Sequence, residues 1–160
     1  MALGIHLRRI VLYLLAAFSA AVLAAALPYD ESADAKAGVQ LALVAARSSH
    51  VPVLIVFGAN WCEDCRALDL ALRDGRSAAL VAKSFNLVKV DVGNFDRNLD
   101  IAAAYGNPIR KGIPAAVVVS GDGKVLYATK AGELADARRM SETGIYEFFK
   151  RVSQGLASSQ

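Results

Sequence analysis

Cysteine and histidine are both scarce in this sequence of 160 residues. Cys62 and Cys65 are its only cysteines, and His6 and His50 are its only histidines. A structural zinc site needs four ligands, and a catalytic site needs three ligands and a water molecule. Neither histidine stands at ligand spacing from the cysteine pair, so the supply of ligands argues against zinc. We therefore expect no metal site, and nothing in the sequence calls for a cofactor.

Runs of basic residues, internal repeats and low-complexity tracts are also missing, apart from an alanine-rich N-terminus. The formal net charge is only +3, and aromatic residues do not alternate with basic ones. The chain therefore lacks the electrostatic footprint of a nucleic-acid-binding protein. With 55% hydrophobic and 21% charged residues, it is expected to form one domain of ordinary size with a real core.

The N-terminus has the layout of an export signal. Residues 1–9 carry basic side chains and no acid, residues 10–26 are apolar or small, and Ala24-Ala25-Ala26 offers a cleavage site. We expect residues 1–26 to be a signal peptide and residues 27–160 to be the domain. An uncleaved membrane anchor remains an alternative, although roughly 17 apolar residues is short for a bilayer. Either way, the sequence predicts an exported domain, periplasmic in a bacterium.

Export changes how the cysteine pair is interpreted, because disulfides form and persist outside the cytosol. Small secreted proteins that depend on structural disulfides usually carry several. Here a bond between Cys62 and Cys65 would close a very short loop, which contributes little stability in the chain-entropy model. A redox-active pair is therefore favoured over a structural disulfide.

The local setting of the pair supports redox chemistry. The apolar run Val53–Phe57 predicts a buried strand, and Arg66–Leu72 predicts a helix just after Trp61-Cys62-Glu63-Asp64-Cys65. The free N–H groups and the positive dipole at a helix N-terminus favour a thiolate over a thiol. The second thiol, one turn away, is close enough to attack a mixed disulfide.

The pattern of elements predicts an α/β fold. A polar arm, residues 28–34, is expected to lead into the first helix. Apolar periodicity and turn residues predict helices at residues 35–47, 62–73, 77–84, 99–105 and 141–152. Strands are predicted at residues 51–57, 87–92, 115–119 and 124–129. Alternation predicts parallel pairing with right-handed crossovers, and the last two strands predict a hairpin. The expected result is a central mixed β-sheet with helices on both faces.

Several motifs, taken in order, resemble the thioredoxin superfamily. They are the strand–Trp-Cys-x-x-Cys–helix unit, Tyr105-Gly106, Gly112-Ile113-Pro114 before a hairpin, and glycines 123 and 132. The resemblance covers roughly residues 51–151 and implies a thioredoxin-like fold. The export signal and the arm are similar to those of secreted bacterial thioredoxin-like thiol–disulfide oxidoreductases.

The resemblance implies roles for five residues. Cys62 would be the exposed nucleophile and Cys65 the buried resolving thiol, while Trp61 would pack beside them. Pro114 would be cis, facing the dithiol, and would leave the backbone of Ile113 open to pair with an extended substrate. The alternatives are a Trp61 packed in the core and an ordinary trans proline.

Two departures from the family pattern concern charge. Val56 stands where thioredoxin has a buried acid that takes a proton from the resolving thiol. Glu63, Asp64 or water would have to replace that acid, and Lys89 is left with a structural or solvent-exposed role. Between the thiols, the carboxylates of Glu63 and Asp64 would oppose ionised Cys62, raise its pKa and make the pair reducing. The alternative is that both acids point into solvent, where salt screens them.

The leading functional prediction is a thiol–disulfide oxidoreductase that exchanges disulfides with exported proteins, with reductase ahead of isomerase and oxidase. Isomerases of this kind commonly use a second, dimerising domain, for which the chain has no room. The expected partners are protein thiols and disulfides and a redox partner protein, with a membrane involved only if residues 1–26 stay attached.

One alternative function is a copper(I) carrier, since two soft thiolates suit that ion. The copper carriers of this fold usually add a histidine or methionine near the hairpin, and neither His50 nor Met140 matches that position well. The other alternative is an interaction scaffold whose dithiol is idle.

Overall fold

The computed structural model describes residues 27–158, so the predicted signal peptide or anchor lies outside the described residues. Its helices are α1 (Ala35–Ser49), α2 (Glu63–Arg73), α3 (Gly75–Ser84), α4 (Leu99–Ala104) and α5 (Glu142–Ala157). Its strands are β1 (Val53–Gly58), β2 (Asn86–Asp91), β3 (Ala115–Val119) and β4 (Val125–Ala128). Short 3-10 turns lie at Pro108–Lys111 and Ala137–Arg139. Within this part of the chain, no helix has the length and apolar character needed to cross a membrane.

The four strands form one mixed sheet in the order β2-β1-β3-β4. β2 pairs parallel with β1, β3 pairs antiparallel with β1, and β4 forms a hairpin with β3. The predicted mixed sheet is confirmed, but parallel pairing is wrong for β3. The reason is the short α4, which spans only about 9 Å and does not carry the chain back along the sheet. β3 therefore enters beside Phe57, at the edge where β1 ends.

β1 is the centre of the fold, because all six of its residues are buried. Val53, Ile55 and Phe57 face one apolar cluster, to which α1 and α4 contribute. Leu54 and Val56 face a second cluster, built with α2, α3 and α5. The sheet therefore has helices on both faces, and the continuous apolar run of β1 is explained by burial on both sides.

Helix boundaries follow local backbone chemistry. Asp74 adopts an extended conformation and separates α2 from α3, which confirms the predicted break after Arg73. Ser141 caps α5, since its Oγ accepts the N–H of Gly144 at 3.0 Å. α5 continues to Ala157, five residues beyond the predicted end of the helix at residue 152.

Substitution Phe149→Ala tests the cluster beneath α5. This ring is fully buried and meets Phe148 edge to face with centroids 5.0 Å apart. We expect a loss of about 3–5 kcal/mol in the free energy of unfolding, measured by urea denaturation, because a cavity replaces the ring. The control Leu41→Ala removes an exposed side chain of α1 and is expected to change stability by less than about 0.5 kcal/mol. Equal losses would contradict this assignment of the core.

Candidate dithiol site

The two cysteines lie at the junction between β1 and α2. Cys62 is the extended N-cap residue of α2, and Cys65 lies in its first turn. Their sulfurs form a disulfide, with Cα atoms 5.2 Å apart. The Sγ of Cys62 also accepts the backbone N–H of Cys65 at 3.1 Å. After reduction, a thiolate at Cys62 would face the free N–H groups and the positive end of the helix dipole, which stabilise it.

Burial distinguishes the two sulfurs. Cys65 is completely buried, whereas Cys62 keeps 5% of its surface exposed. The expected exposed nucleophile is therefore largely covered, although it is the more accessible of the two. The cover comes partly from the segment before β3, since the carbonyl oxygen of Ile113 lies 3.6 Å from Cys62 Sγ. A reacting sulfur would have to approach Cys62 through the opening that remains.

The Gly112-Ile113-Pro114 segment borders the dithiol, and the Ile113–Pro114 peptide bond is cis. The β3 ladder begins one residue later, where Ala115 pairs with Phe57, so Ile113 stands outside the sheet. Gly112 has a φ of 109°, which a residue with a side chain rarely adopts. The structure thus places the Ile113 carbonyl oxygen, and with it the start of the bond to Pro114, beside Cys62.

Trp61 lies on the surface rather than in the core, with 53% of its area exposed. Its indole N–H donates to the carbonyl oxygen of Gly93 at 2.8 Å, and its ring lies 6.2 Å from that of Phe95. The alternative of a core tryptophan is therefore wrong. Fixed by this hydrogen bond, Trp61 forms an apolar surface beside Cys62.

Sequence reasoning missed Phe95. Its φ of 62° lies in the left-handed region, which is uncommon for a bulky side chain, and 42% of its surface is exposed. Beside it runs a groove lined by Leu99, Ile109 and Gly112, with Arg110 as the one charged residue among its described lining residues. In the sequence, the signal that could have identified Phe95 was an isolated aromatic residue directly after the Gly93-Asn94 turn.

The two acids between the thiols are held by Arg138, a residue far away in sequence. The carboxylate of Glu63 pairs with the Arg138 guanidinium, and Asp64 Oδ1 accepts the backbone N–H of Arg138 at 3.0 Å. Arg138 Nε also lies 3.7 Å from Asp64 Oδ1. The acids therefore neither act unopposed on Cys62 nor point into solvent unpaired. A cation offsets their charge, which weakens the predicted rise in the pKa of Cys62.

Lys89, for which the sequence left a structural or solvent-exposed role, forms a second ion pair. The structure provides it with a buried partner, Asp69, which lies one helical turn beyond Cys65. Arg73 also pairs with Asp69, with Nη2 and Oδ2 2.6 Å apart. Val56, at the position of the missing acid, packs in the apolar cluster beneath α5. The domain therefore does contain a buried acid near the dithiol, but it comes from α2 rather than β1.

His50 and Met140 matched the position of an additional copper ligand poorly in the sequence, and the structure places neither of them beside the dithiol in a metal-binding group. His50 precedes β1 whereas Cys62 follows it, so the two residues lie towards opposite ends of that strand. Met140 packs against the apolar cluster beneath α5. Across residues 27–158, no group of three or more histidine, cysteine, aspartate or glutamate side chains is arranged to hold a metal ion.

Substitution Arg138→Gln tests whether Arg138 offsets the negative charge of Glu63 and Asp64. Removing the cation leaves two carboxylates to destabilise the Cys62 thiolate, so its pKa should rise. The potential of the dithiol couple should become more negative, because the reduced form loses stability as a thiolate. Ultraviolet thiolate absorbance against pH and equilibration with glutathione measure the two quantities. Arg139→Gln, at the exposed neighbouring arginine, is the control. An equal change in thiol pKa and potential in both variants would show that Arg138 does not specifically offset the charge of Glu63 and Asp64.

Comparisons with known proteins agree with this geometry. A family model described as thioredoxin-like matches residues 34–121. The crystal structure of a disulphide isomerase from Xylella fastidiosa Temecula1 is 61% identical over 81% of this chain and 99% of that chain, with a TM-score of 0.79. A protein described as DsbH oxidoreductase shares the fold, with 18% identity, a TM-score of 0.53, and coverage of 72% of this chain and 79% of that chain. The curated proteins contain no match. The family match, the 61% identity and the disulfide at the start of α2 lead to one conclusion: the chain belongs to the thioredoxin-like family and is a thiol–disulfide oxidoreductase.

Proposed function

We propose that this oxidoreductase is exported and acts chiefly as a reductase of disulfides in exported proteins. The observation that carries the proposal is the position of Cys62 Sγ. It lies at the N-terminus of α2 and 3.6 Å from the carbonyl oxygen of Ile113, beside an exposed apolar surface. The helix end supports a thiolate, and the neighbouring backbone and rings offer a place for a substrate chain.

The first chemical step joins the enzyme to its substrate. The Cys62 thiolate attacks one sulfur of a substrate disulfide, a new S–S bond forms, and the substrate's own S–S bond breaks. The second substrate sulfur leaves as a thiolate and takes a proton from water. No net electron transfer has occurred at this point, because one disulfide has replaced another.

The second step releases the substrate. Cys65 attacks Cys62 Sγ, the Cys62–Cys65 disulfide forms, and the remaining substrate sulfur leaves as a thiol. Two electrons have then passed from the dithiol to the substrate. Since Cys65 is completely buried, it reacts with Cys62 rather than with outside sulfurs. A redox partner protein must supply two electrons before the next cycle.

Substrate binding is assigned to Trp61, Ile113 and Pro114, as the sequence predicted. The backbone of Ile113 stands just before the ladder of β3, where an extended segment would add as a further strand. Trp61 and Phe95 would cover the apolar side chains that flank the substrate cysteine. Their exposed rings are the best-placed apolar groups around Cys62.

Isomerisation is the second candidate, because the structure that is 61% identical is described as a disulphide isomerase. In that reaction the free substrate thiolate attacks the mixed disulfide before Cys65 does, and no net electrons move. The reductase proposal is supported by the carboxylates of Glu63 and Asp64, whose negative charge opposes a thiolate even when Arg138 offsets part of it. The proposal of export depends on residues 1–26, in which basic, apolar and small residues follow one another as in a signal peptide.

Insulin reduction with a chemical electron donor tests the proposed function. The unaltered protein should turn over, Cys62→Ser should be inactive, and Cys65→Ser should accumulate a mixed disulfide because the resolving thiol is missing. Refolding of a scrambled disulfide protein, run in parallel, separates the two candidates. Turnover of the scrambled protein without insulin reduction would replace reductase with isomerase. Absence of any reaction that depends on Cys62 would remove the enzyme proposal.

Substitution Phe95→Ser tests the apolar surface. We expect kcat/KM for insulin to fall by about 5–10-fold, because an apolar contact with the substrate is lost. The rate with a small disulfide should stay unchanged, since it does not reach the ring. Val125→Ser removes an equally exposed apolar side chain on β4 and serves as the control. A similar decrease with both the large and the small substrate would show that Phe95 supports the site rather than the substrate.

A further inference from the structure

The arm before α1, residues 28–34, is attached to the loop that leads into the dithiol. Asn60 makes the attachment: its Oδ1 accepts the N–H of Tyr29 at 2.9 Å, and its Nδ2 donates to the Tyr29 carbonyl oxygen at 2.9 Å. Arg66 Nη1 in turn donates to the Asn60 carbonyl oxygen at 2.8 Å. The arm is therefore fixed in place immediately before Trp61 and Cys62.

This attachment buries the side chain of Tyr29 beneath the dithiol. A β-carbon on Gly58, the last residue of β1, would overlap the Tyr29 hydroxyl oxygen and lie 2.9 Å from Cys65 Sγ. The hydroxyl and the sulfur of the resolving cysteine therefore lie close together beside Gly58. The absence of a side chain at Gly58 creates the space that the tyrosine ring fills.

Two buried acids, Asp69 and Asp91, act electrostatically on this ring. Asp91 pairs with Gly58 across the parallel ladder, and its buried Oδ1 has no hydrogen-bond partner within the described part of the chain. Its Oδ2 accepts the N–H of Gly93 at 3.1 Å and lies 3.6 Å from Arg97 Nη1.

Burial first, and then the charges of Asp69 and Asp91, raise the pKa of Tyr29 well above its usual value. Asp69 itself is paired with Lys89 and Arg73 on its far side. The Tyr29 hydroxyl is therefore a hydrogen-bond donor throughout the physiological pH range.

We propose that Tyr29 is a positioning residue for the second step, in which its O–H donates a hydrogen bond to Cys65 Sγ as negative charge develops there. The proposal rests on the redox function proposed for the dithiol. A thiolate formed at a fully buried sulfur is costly without a donor, and the acid that would assist it in thioredoxin is Val56 here. Tyr29 takes up no proton: the proton that Cys65 loses passes by way of water to the departing substrate sulfur, which leaves as a thiol, so the atoms balance.

The family match also separates Tyr29 from the residues common to the fold. That match begins at residue 34, so the tyrosine belongs to a segment outside it. Sequence reasoning treated this segment as a connecting arm. Its hydrogen bonds with Asn60 and the position of its hydroxyl beside Gly58, close to Cys65, support a role in the reaction instead.

The test is Tyr29→Phe, which removes one oxygen and keeps the ring. Reduced protein is mixed with one equivalent of an aromatic disulfide whose released thiolate is coloured. A first phase reports attack by Cys62, and a second phase reports attack by Cys65. We expect the first phase to be unchanged and the second to be about tenfold slower at neutral pH, with its pH profile displaced upward.

Two further variants complete the experiment. Tyr105→Phe, at a half-buried tyrosine that packs against the α1 side of the core, is the matched control and should leave both phases unchanged. Asn60→Ala loosens the arm without altering the ring and should slow the second phase. An unchanged second phase and pH profile in Tyr29→Phe would overturn the role of Tyr29 and leave the proposed function standing. Equal slowing in the two tyrosine variants would do the same. A missing first phase in the unaltered protein would overturn the proposed function itself.

Discussion

The site depends on the burial of β1 on both of its faces. All six residues of this strand are enclosed, and its two neighbours pair with it along its length. Its end at Gly58 is therefore fixed relative to both apolar clusters. That fixed end sets the position of the Asn60 turn, of Cys62 and of the first turn of α2. The reactive sulfur at this strand-to-helix junction is consequently positioned by the buried strand that precedes it.

Charges around the dithiol are arranged in pairs. Arg138 holds Glu63 and Asp64, and Lys89 with Arg73 holds Asp69. Paired charges exert weaker fields on a nearby sulfur than isolated charges do. The helix end and individual hydrogen-bond donors therefore have a larger share in determining the stability of a thiolate. Backbone N–H groups at the start of α2 and the Ile113 carbonyl oxygen therefore act on Cys62 alongside the partly offset carboxylates of Glu63 and Asp64.

Local features of this domain could be predicted from the sequence, and long-range contacts could not. The apolar run of β1, the thiol pair and Gly112-Ile113-Pro114 each carry their meaning within a few residues. In contrast, the direction of β3 depends on how far α4 extends, and the contact between Arg138 and Glu63 joins residues 75 positions apart. Lys89 and Asp69 meet across the interface of β2 and α2, and no spacing rule connects residues on a strand and a helix.

The proposed signal peptide and the proposed role of Tyr29 meet in the arm that Asn60 fixes. A signal peptide that ends at residue 26 leaves only Leu27 and Pro28 ahead of Tyr29. If export removes residues 1–26 as proposed, cleavage a few residues further along would also remove Tyr29. The proposed role of Tyr29 therefore makes the position of cleavage matter for the second step of the reaction.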